Sequence, residues 1–347
     1  MPGTRGQVSR TFEGDRMNRR DTIHALPALA ASVLGLVAVP GLAQKLAQTP
    51  RVGILVLASL TSITAFIEGF RSILRDLGYV EGSSIHFEIV SADGNADRLP
   101  ELAAQLVAHK VDIIVTGGGN VSALAARKAT STIPIIMTSS IGPVEAGLIQ
   151  SLARPGGNVT GLTVPPELGL KQLQLLQEIV PPMPRAVILL RHDLAMTAAR
   201  EQAKTYARML LGVTLDFVEV RSPEDTARAL DAVRAAKPNA MIVSPDPLLY
   251  QQREQILRFA RAARIPDMYS YPDIVDDGGL MAYTGNSQEL YSGISRFVNR
   301  LLKGANPVDL PVEQLAKFDL VINVKTARSL GLKVPQALLL RTERVIT

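Results

Sequence analysis

Short apolar runs alternate with longer amphipathic stretches along this chain. The run at 52–57 (VGILVL) is continuous, which is typical of a strand buried on both faces of a parallel sheet. The stretch 63–77 has helical spacing and is followed by Gly78, a usual residue just past a helix C-terminus. Further strands are predicted at 84–92, 112–116 and 133–140, with a helix at 97–109. This alternation predicts βαβ units with right-handed crossovers.

The same order of elements recurs in the second half of the chain. The matching segments are 52–57 with 186–191, 74–80 with 207–213, 96–118 with 224–246, and 132–139 with 264–271. Two α/β lobes are therefore predicted, each a doubly wound, Rossmann-like parallel sheet. The 347 residues are enough for two cores, because a single core rarely grows past about 250–300 residues. Small ligands commonly bind in the cleft between two such lobes.

The connections between the lobes are predicted from composition. The Pro- and Gly-rich segment 153–167 is predicted to carry the first crossing, and 278–286 the second. The helix 288–303 would then return to the first lobe, and 316–332 would add a strand and a helix. We therefore expect lobe 1 to comprise 51–162 and 286–317, and lobe 2 to comprise 163–285 and 318–347. Hinge rotation is expected near 160–165, 284–288 and 314–319.

The N-terminal segment predicts export. Residues 17–43 combine a short basic region, an apolar stretch from Ala25 to Val39 and a small-residue cleavage site ending at Ala43. Met17 is an alternative start, and a retained N-terminal anchor is the alternative to cleavage. The chain contains no cysteine, which excludes disulfides, thiolate metal sites and a lipidated cysteine. We expect a protein free in the periplasm, and we expect it to be a monomer.

Composition and motifs argue against several other classes. The net charge is +5, and the basic residues are scattered without an aromatic-interleaved stripe, so nucleic-acid binding is not expected. There is no G-x-S-x-G, Walker A or H-E-x-x-H motif, and the four histidines are far apart. We therefore predict no catalytic residues, no metal and no cofactor.

In doubly wound sheets, ligands gather at the carboxyl ends of the strands. In lobe 1, Gly118, Gly119 and Asn120 form either a tight turn or a set of donors at a helix N-terminus. As a dinucleotide fingerprint the turn fails, because Ser122 stands at the third glycine position. The other lobe 1 candidates are Ser59 and Thr61 after the first strand and Ser139 and Ser140 after the fourth, which are either strand-terminal polar residues or hydroxyl donors to a ligand.

Lobe 2 offers corresponding candidates. Asp246 is predicted to cap the helix that begins at Pro247, to accept hydrogen bonds from a ligand, or both. Tyr269, Tyr271 and Tyr283 either pack beneath the hinge or stack on a ligand, and Tyr269 and Tyr283 are taken as site residues. His192 is either solvated or a ligand contact.

Several stretches together carry a resemblance to a known family. They are LRDLGYVEG, SLARPGGNVTGLT, GGLMAYTG, LLKGANPVDLPVEQ and KFDLVINVKTARSLGLKVPQALL. From about Arg51 to Thr347 the chain resembles periplasmic substrate-binding proteins of ABC transporters, type I, and within them a subfamily whose better-known relatives bind aromatic amino acids such as tryptophan. The resemblance implies two lobes, an enclosed ligand and docking on a membrane permease.

Two positions depart from the pattern of that subfamily. Gly142-Pro143-Val144 stands where Asp-Pro-Val is usual, and Gly118-Gly119 stands where Thr-Pro is frequent. The missing carboxylate bears on whether the ligand is an amino acid. We predict a solute-binding protein that captures a small organic molecule, an amino acid or related metabolite, for an ABC importer. A periplasmic sensor and an enzyme using the cleft are the alternatives.

Overall fold

A computed structural model describes residues 49–192 and 197–347. The predicted signal peptide at 17–43 and its cleavage site lie outside the described residues. The strands are β1 Arg51–Val56, β2 His86–Ser91, β3 Ile113–Gly117, β4 Ile135–Ile141, β5 Val159–Val164, β6 Arg185–Arg191, β7 Thr214–Val220, β8 Ala240–Val243, β9 Asp267–Tyr269, β10 Met281–Gly285, β11 Glu313–Gln314, β12 Phe318–Asn323 and β13 Arg344–Ile346.

Helices connect most of these strands. The α-helices are Thr64–Asp76, Leu99–Ala108, Asn120–Ala129, Leu168–Ile179, Thr197–Leu211, Thr226–Ala236, Pro247–Gln251, Arg253–Ala263, Pro272–Asp276, Ser287–Leu302, Val324–Ser329 and Gln336–Leu339. Short 3-10 turns lie at Thr61–Ile63, Ala96–Arg98, Pro223–Asp225 and Pro307–Asp309. Within the described ranges, no helix is both long enough and apolar enough to cross a membrane.

The strands form two sheets with the same core order. The first sheet runs β2-β1-β3-β4-β5-β11, and the second runs β7-β6-β8-β9-β10-β12-β13. The sequence repeat matched β1 with β6, β3 with β8 and β4 with β9, and the strand order agrees with these matches. The same order makes β2 equivalent to β7 and β5 equivalent to β10. Among the described strands, only β12 and β10 pair antiparallel. The two doubly wound α/β lobes predicted from the repeat are confirmed.

Each sheet is buried on both faces, which explains the continuous apolar runs. In β1, Val52 and Ile54 pack into one core cluster while Leu55 packs into the cluster on the opposite face. In β6, Val187 and Ala186 divide between two clusters in the same way. Because successive side chains of a strand point to opposite faces, both sets must be apolar when helices cover both sides.

The chain passes between the two sheets three times. It leaves the first sheet after β5, returns after β10 through the helix Ser287–Leu302, and crosses again between β11 and β12. The predicted 162/163 boundary falls inside β5, which continues to Val164. β10 ends at Gly285 and β12 begins at Phe318. The lobe boundaries at 285/286 and 317/318 stay predictions.

Hydrogen bonds join the second and third crossings. Asn286 caps the helix Ser287–Leu302 by accepting from the Glu289 amide at 2.9 Å, and its Nδ2 donates to the Asp319 carboxylate at 3.0 Å. The Glu289 carboxylate accepts from the backbone amides of Ala316 and Lys317. The second and third crossings are therefore held together by hydrogen bonds and form one connecting segment between the lobes.

Candidate functional site

The carboxyl ends of the two sheets approach each other. Asp93 lies just beyond the end of β2, and Gln251 is the last residue of the helix that follows β8. The Gln251 Nε2 donates to the Asp93 carbonyl at 3.2 Å, which is a direct hydrogen bond between the lobes. Because parallel strands end at the same edge of their sheet, this contact shows that the strand-end edges of the two sheets meet here, and ligands gather at such edges.

The turn after β3 forms part of the lobe 1 wall. Gly118 has a φ of +104° and Gly119 a φ of +73°, conformations that L side chains rarely adopt. A Cβ on Gly118 would come within 2.6 Å of the Leu57 Cβ, whereas one on Gly119 would meet open space. The helix Asn120–Ala129 begins directly after the turn, so its first amides have no intrahelical partner and are available as donors.

Asn120 and Ser140 hydrogen-bond to each other. The Asn120 Nδ2 donates to the Ile141 carbonyl at 2.7 Å, and its Oδ1 accepts from the buried Ser140 hydroxyl. These bonds tie the ends of β3 and β4 together. Ser139 is half-buried, and among the described residues its hydroxyl has one hydrogen-bond partner, the Thr138 hydroxyl at 3.4 Å. The Ser139 hydroxyl is therefore the freer of the two serines.

Ser59 and Thr61 also bond within the protein. Their hydroxyl oxygens lie 3.1 Å apart, and the Ser59 Oγ donates to the Ser62 Oγ at 3.2 Å. This network shapes the turn that leads from β1 into the helix Thr64–Asp76. Thr61 is exposed and Ser59 half-buried, so both remain at the strand-end edge.

Asp246 occupies the matching turn of lobe 2. Its carboxylate accepts from the Leu248 amide at 2.8 Å and so caps the helix Pro247–Gln251. Protein surrounds most of the side chain, which remains partly exposed. Burial raises the pKa of Asp246 above its ordinary value, and the positive charge of Arg191 opposes that rise. The capping role is thus observed, and the carboxylate retains lone pairs for a second partner.

Two tyrosines that are close in sequence have different environments. Tyr269 is 1% exposed, and its hydroxyl donates to Asp267 at 2.7 Å, so this ring belongs to the core. Tyr271 is half-buried, and its hydroxyl has no hydrogen-bond partner in the part of the chain that the structure describes. Burial, followed by the charge of Asp246, raises the pKa of the Tyr271 hydroxyl. A polar group surrounded by protein, unpartnered and still accessible is typical of a ligand contact.

Neighbouring side chains hold the Tyr271 ring in place. The Tyr250 ring meets it edge-to-face with centroids 4.9 Å apart. The Tyr250 hydroxyl donates to Asp273, and the Arg253 guanidinium lies 4.7 Å from the Tyr250 centroid. Burial, with the Asp273 contact second, raises the pKa of Tyr250 to about 12. Tyr250 and Tyr271 together form a rigid aromatic surface at the strand ends of lobe 2.

Tyr283 and His192 each contact another side chain of the protein. Tyr283 stacks on Phe318 with centroids 5.5 Å apart, where the hinge strands β10 and β12 pair. The His192 ring contacts the carboxylate of Glu219, which Arg200 also contacts. The hydrogen bond from His192, more than that from Arg200, lowers the pKa of Glu219. A ligand role for Tyr283 or His192 stays a prediction.

Arg191 is the residue of this edge that sequence reasoning missed. It closes the apolar run of β6, and among the described residues its side chain has neither a hydrogen bond nor an ion pair. A charge at the last position of a buried strand was a signal available in the sequence. The Gln251–Asp93 contact had no such signal, because it depends on how the lobes meet.

With this geometry in place, comparison with known proteins identifies the family. Residues 51–346 match the family model described as "ABC transporter substrate binding protein". The chain belongs to this family. It is therefore a solute-binding protein, and the resemblance drawn from the sequence is confirmed.

Individual relatives of this substrate-binding protein agree. A tyrosine-binding protein of Clostridioides difficile (strain R20291) is 26% identical over 284 residues, covering 81% of each chain. An ABC domain from Streptococcus pneumonia, solved in complex with L-Trp, is 26% identical with a TM-score of 0.78, covering 86% of this chain and all of that one. A leucine binding protein of Thermotoga maritima, at 15% identity and a TM-score of 0.52, covering 76% and 78%, shares the fold.

Proposed function

We propose that this protein captures an amino acid or a related small metabolite between its lobes and delivers it to the permease of an ABC importer. The observation that carries this proposal is the strand-end edge of lobe 2, where the polar groups of Arg191 and Tyr271 have no hydrogen-bond partner among the described residues. The ligands named for its relatives, tyrosine and L-Trp, support an aromatic amino acid as the first candidate.

Transport requires an open and a closed form. The crossings give a hinge, with rotation near 160–165, 284–288 and 314–319, between lobes bounded near 162, 285 and 317. A ligand that contacts both lobes stabilises the closed form by its differential affinity for that form. On the lobe 1 side, we propose contacts from Ser59, Thr61, Ser139 and the amides of the turn Gly118–Asn120, and from Ser140 and Asn120 where closure frees them. The permease would then recognise the closed surface.

Export and oligomeric state form part of the same proposal. The signal peptide at 17–43 would be cleaved after Ala43, leaving a monomer in the periplasm. N-terminal sequencing of protein from a periplasmic extract tests this cleavage, and a mass by light scattering tests the monomer. A start at Gln44 is expected, and an intact N-terminus on membrane-bound protein would contradict it.

Native mass spectrometry of protein purified without refolding tests capture. We expect a retained small molecule that is recovered unchanged after incubation, because no chemistry is proposed for the cleft. Adding that molecule at 100-fold over its dissociation constant should stabilise the fold by about 2.7 kcal/mol, visible as a thermal shift. Small-angle scattering should show compaction. No bound species, no thermal shift with amino acid and metabolite pools, and no compaction would together refute capture.

The genetic neighbourhood tests delivery separately. Genes for a permease and an ATPase beside this one, with loss of ligand uptake on deletion, would support transport. Binding without any effect on uptake would leave a carrier that reports to a sensor instead.

A further inference from the structure

Two side chains of opposite charge lie at the strand-end edge of lobe 2. In the second sheet, Leu189 of β6 lies opposite Val243 of β8, so Arg191 lies level with the residues just beyond β8. Neighbouring strands are about 4.8 Å apart. Asp246 follows β8 at the same edge, close enough for the Arg191 charge to influence its pKa. A cation and an anion therefore stand on adjacent strand ends.

These two charges are not paired with each other. Among the residues described, neither Arg191 nor Asp246 forms an ion pair, and the Arg191 guanidinium donates no hydrogen bond. Within the described part of the chain, the hydrogen bonds to the Asp246 carboxylate come from backbone amides at the helix start. Partly buried charges that lack a partner are costly, so such a pair is expected where a ligand supplies the counter-charges.

The surrounding surface adds a chemical preference. Val187 and Leu189 precede Arg191 on the same face of β6, and they pack into the core cluster against which Tyr250 and Tyr271 also pack. The aromatic pair and the two charges thus share one side of the second sheet. The lobe 1 turn after β4 carries Gly142, with a φ of +56°, and so places no side chain at that point.

We propose that lobe 2 alone carries the charges that hold a zwitterionic α-amino acid, with Arg191 binding its carboxylate and Asp246 its ammonium group. The Tyr271 hydroxyl lies close enough to Asp246 to sense its charge, and lobe 1 closes over the ligand with backbone amides and hydroxyls. This assignment rests on the proposed function and names the ligand class and its anchors. A planar guanidinium is suited to bidentate carboxylate binding, and charge-assisted hydrogen bonds are about twice as strong as neutral ones.

The test begins with calorimetry of the mature protein against the twenty L-amino acids. The tightest binder is then compared with two analogues, the 2-hydroxy acid that lacks the ammonium group and the amine that lacks the carboxylate. We expect Arg191→Gln to weaken the amino acid about 30-fold or more, and to leave the amine almost unaffected. Asp246→Asn should weaken the amino acid about tenfold and leave the 2-hydroxy acid almost unaffected.

The chain offers matched controls for both variants. Asn caps helices as well as Asp does, so Asp246→Asn should keep the helix start intact. Arg185 begins the strand that Arg191 ends, and it pairs with Asp216 at the opposite edge of the sheet. Arg185→Gln and Asp216→Asn should therefore leave binding unchanged. Circular dichroism and thermal unfolding of all four variants establish that each is folded.

Three outcomes would overturn the assignment. The first is Arg191→Gln binding the amino acid within about threefold of the parent protein. The second is a 2-hydroxy acid that binds as tightly as the amino acid. The third is binding of another solute found by native mass spectrometry with none of the amino acids bound, and in that case solute capture itself would stand.

Discussion

Lobe 1 and lobe 2 share one strand order but treat the polar groups at their strand ends differently. In lobe 1, Asn120 and Ser140 bond to each other, and Ser59 bonds to Thr61 and Ser62. In lobe 2, Arg191 and Tyr271 have no such partner within the described residues. The repeated fold thus has strand-end side chains that hydrogen-bond to one another in lobe 1. In lobe 2 it has polar side chains without a hydrogen-bond partner among the described residues.

This difference shows that topology and binding chemistry are set by separate residues. The order of strands follows from apolar runs and crossover handedness, which the two halves share. The candidate ligand contacts lie at the strand ends and in the loops beyond them, where substitution costs little stability. The same backbone repeat can therefore evolve two chemically different faces.

The largest expected effect concerns the strand pair that encloses the lobe 1 core. Gly161 in β5 has a φ of +125°, and a Cβ there would overlap the Met137 backbone, coming within 2.7 Å of its amide nitrogen. Lobe 2 places Ala282 opposite Tyr269 at the corresponding site, so among the described strands of this pair only lobe 1 requires glycine. Gly161→Ala should lower the free energy of unfolding by about 3 kcal/mol or more, measured by urea titration.

A glycine in open space provides the control. A Cβ on Gly157 would have no neighbour within 4 Å, and the φ of this residue lies outside the left-handed region. Gly157→Ala should change the free energy of unfolding by less than about 0.5 kcal/mol. Equal effects at both positions would mean that the backbone of lobe 1 adapts and that the lobes do not differ here.

The next largest effect is a pH-dependent change in the free energy of unfolding, caused by a buried carboxyl group of lobe 2. Asp267 is buried at the start of β9, where lobe 1 has the apolar Ile135. Burial raises its pKa to about 6, although Tyr269 and the Leu280 amide donate to it. The folded state therefore holds the proton more tightly than the unfolded chain. This contribution to stability is complete below about pH 4 and is lost as pH rises through about 6.

Comparison with Asp267→Asn isolates that contribution. Two pKa units correspond to about 3 kcal/mol, so the difference in unfolding free energy between parent and variant should change by up to that amount between pH 4 and 7. Asp231→Asn, at an exposed position of the helix Thr226–Ala236, is the matched control for the substitution itself. A difference that does not vary with pH would show that Asp267 titrates normally.

Substitutions of Tyr269 and Tyr271 should have smaller effects, the first on stability and the second on ligand affinity. Tyr269→Phe leaves Asp267 without its hydroxyl donor and should cost about 1–3 kcal/mol in stability. Tyr271→Phe removes an unpartnered hydroxyl, so stability should change by less than about 0.5 kcal/mol while ligand affinity falls. Thermal unfolding and calorimetry separate the two. The reverse pattern would place Tyr269 at the ligand.

The smallest expected effect is on closure. Gln251→Ala removes the Nε2 donor to the Asp93 carbonyl, a bond worth about 0.5–1.5 kcal/mol. The closed population without ligand should therefore fall by about two- to tenfold. The chain has no cysteine, so one introduced cysteine in each lobe gives a clean spin-label distance between them. Gln252→Ala is the neighbouring control, and an unchanged distance distribution would show that the contact does not bias closure.

The sequence predicted much of the fold and only part of the site. The repeat and the apolar runs placed the strands because burial on both faces leaves a local signature, as in Val52–Leu57. Asp246 was predicted as a cap because capping is also local. The difference between Tyr269 and Tyr271 was not predictable from the sequence, because it depends on tertiary packing. The Tyr269 ring enters the core, whereas the Tyr271 ring, two residues further along the chain, remains at the edge.

Local patterns in this chain are sufficient to specify two doubly wound α/β lobes and the family to which they belong. Hydrophobic periodicity and short turn motifs act over a few residues and can be read along the chain. Tertiary structure alone decided which polar groups bond to one another, as Asn120 does with Ser140, and which remain free, as Arg191 does among the described residues. Those partnerships join residues from different strands and lobes, and their geometry exists only once the sheets have packed.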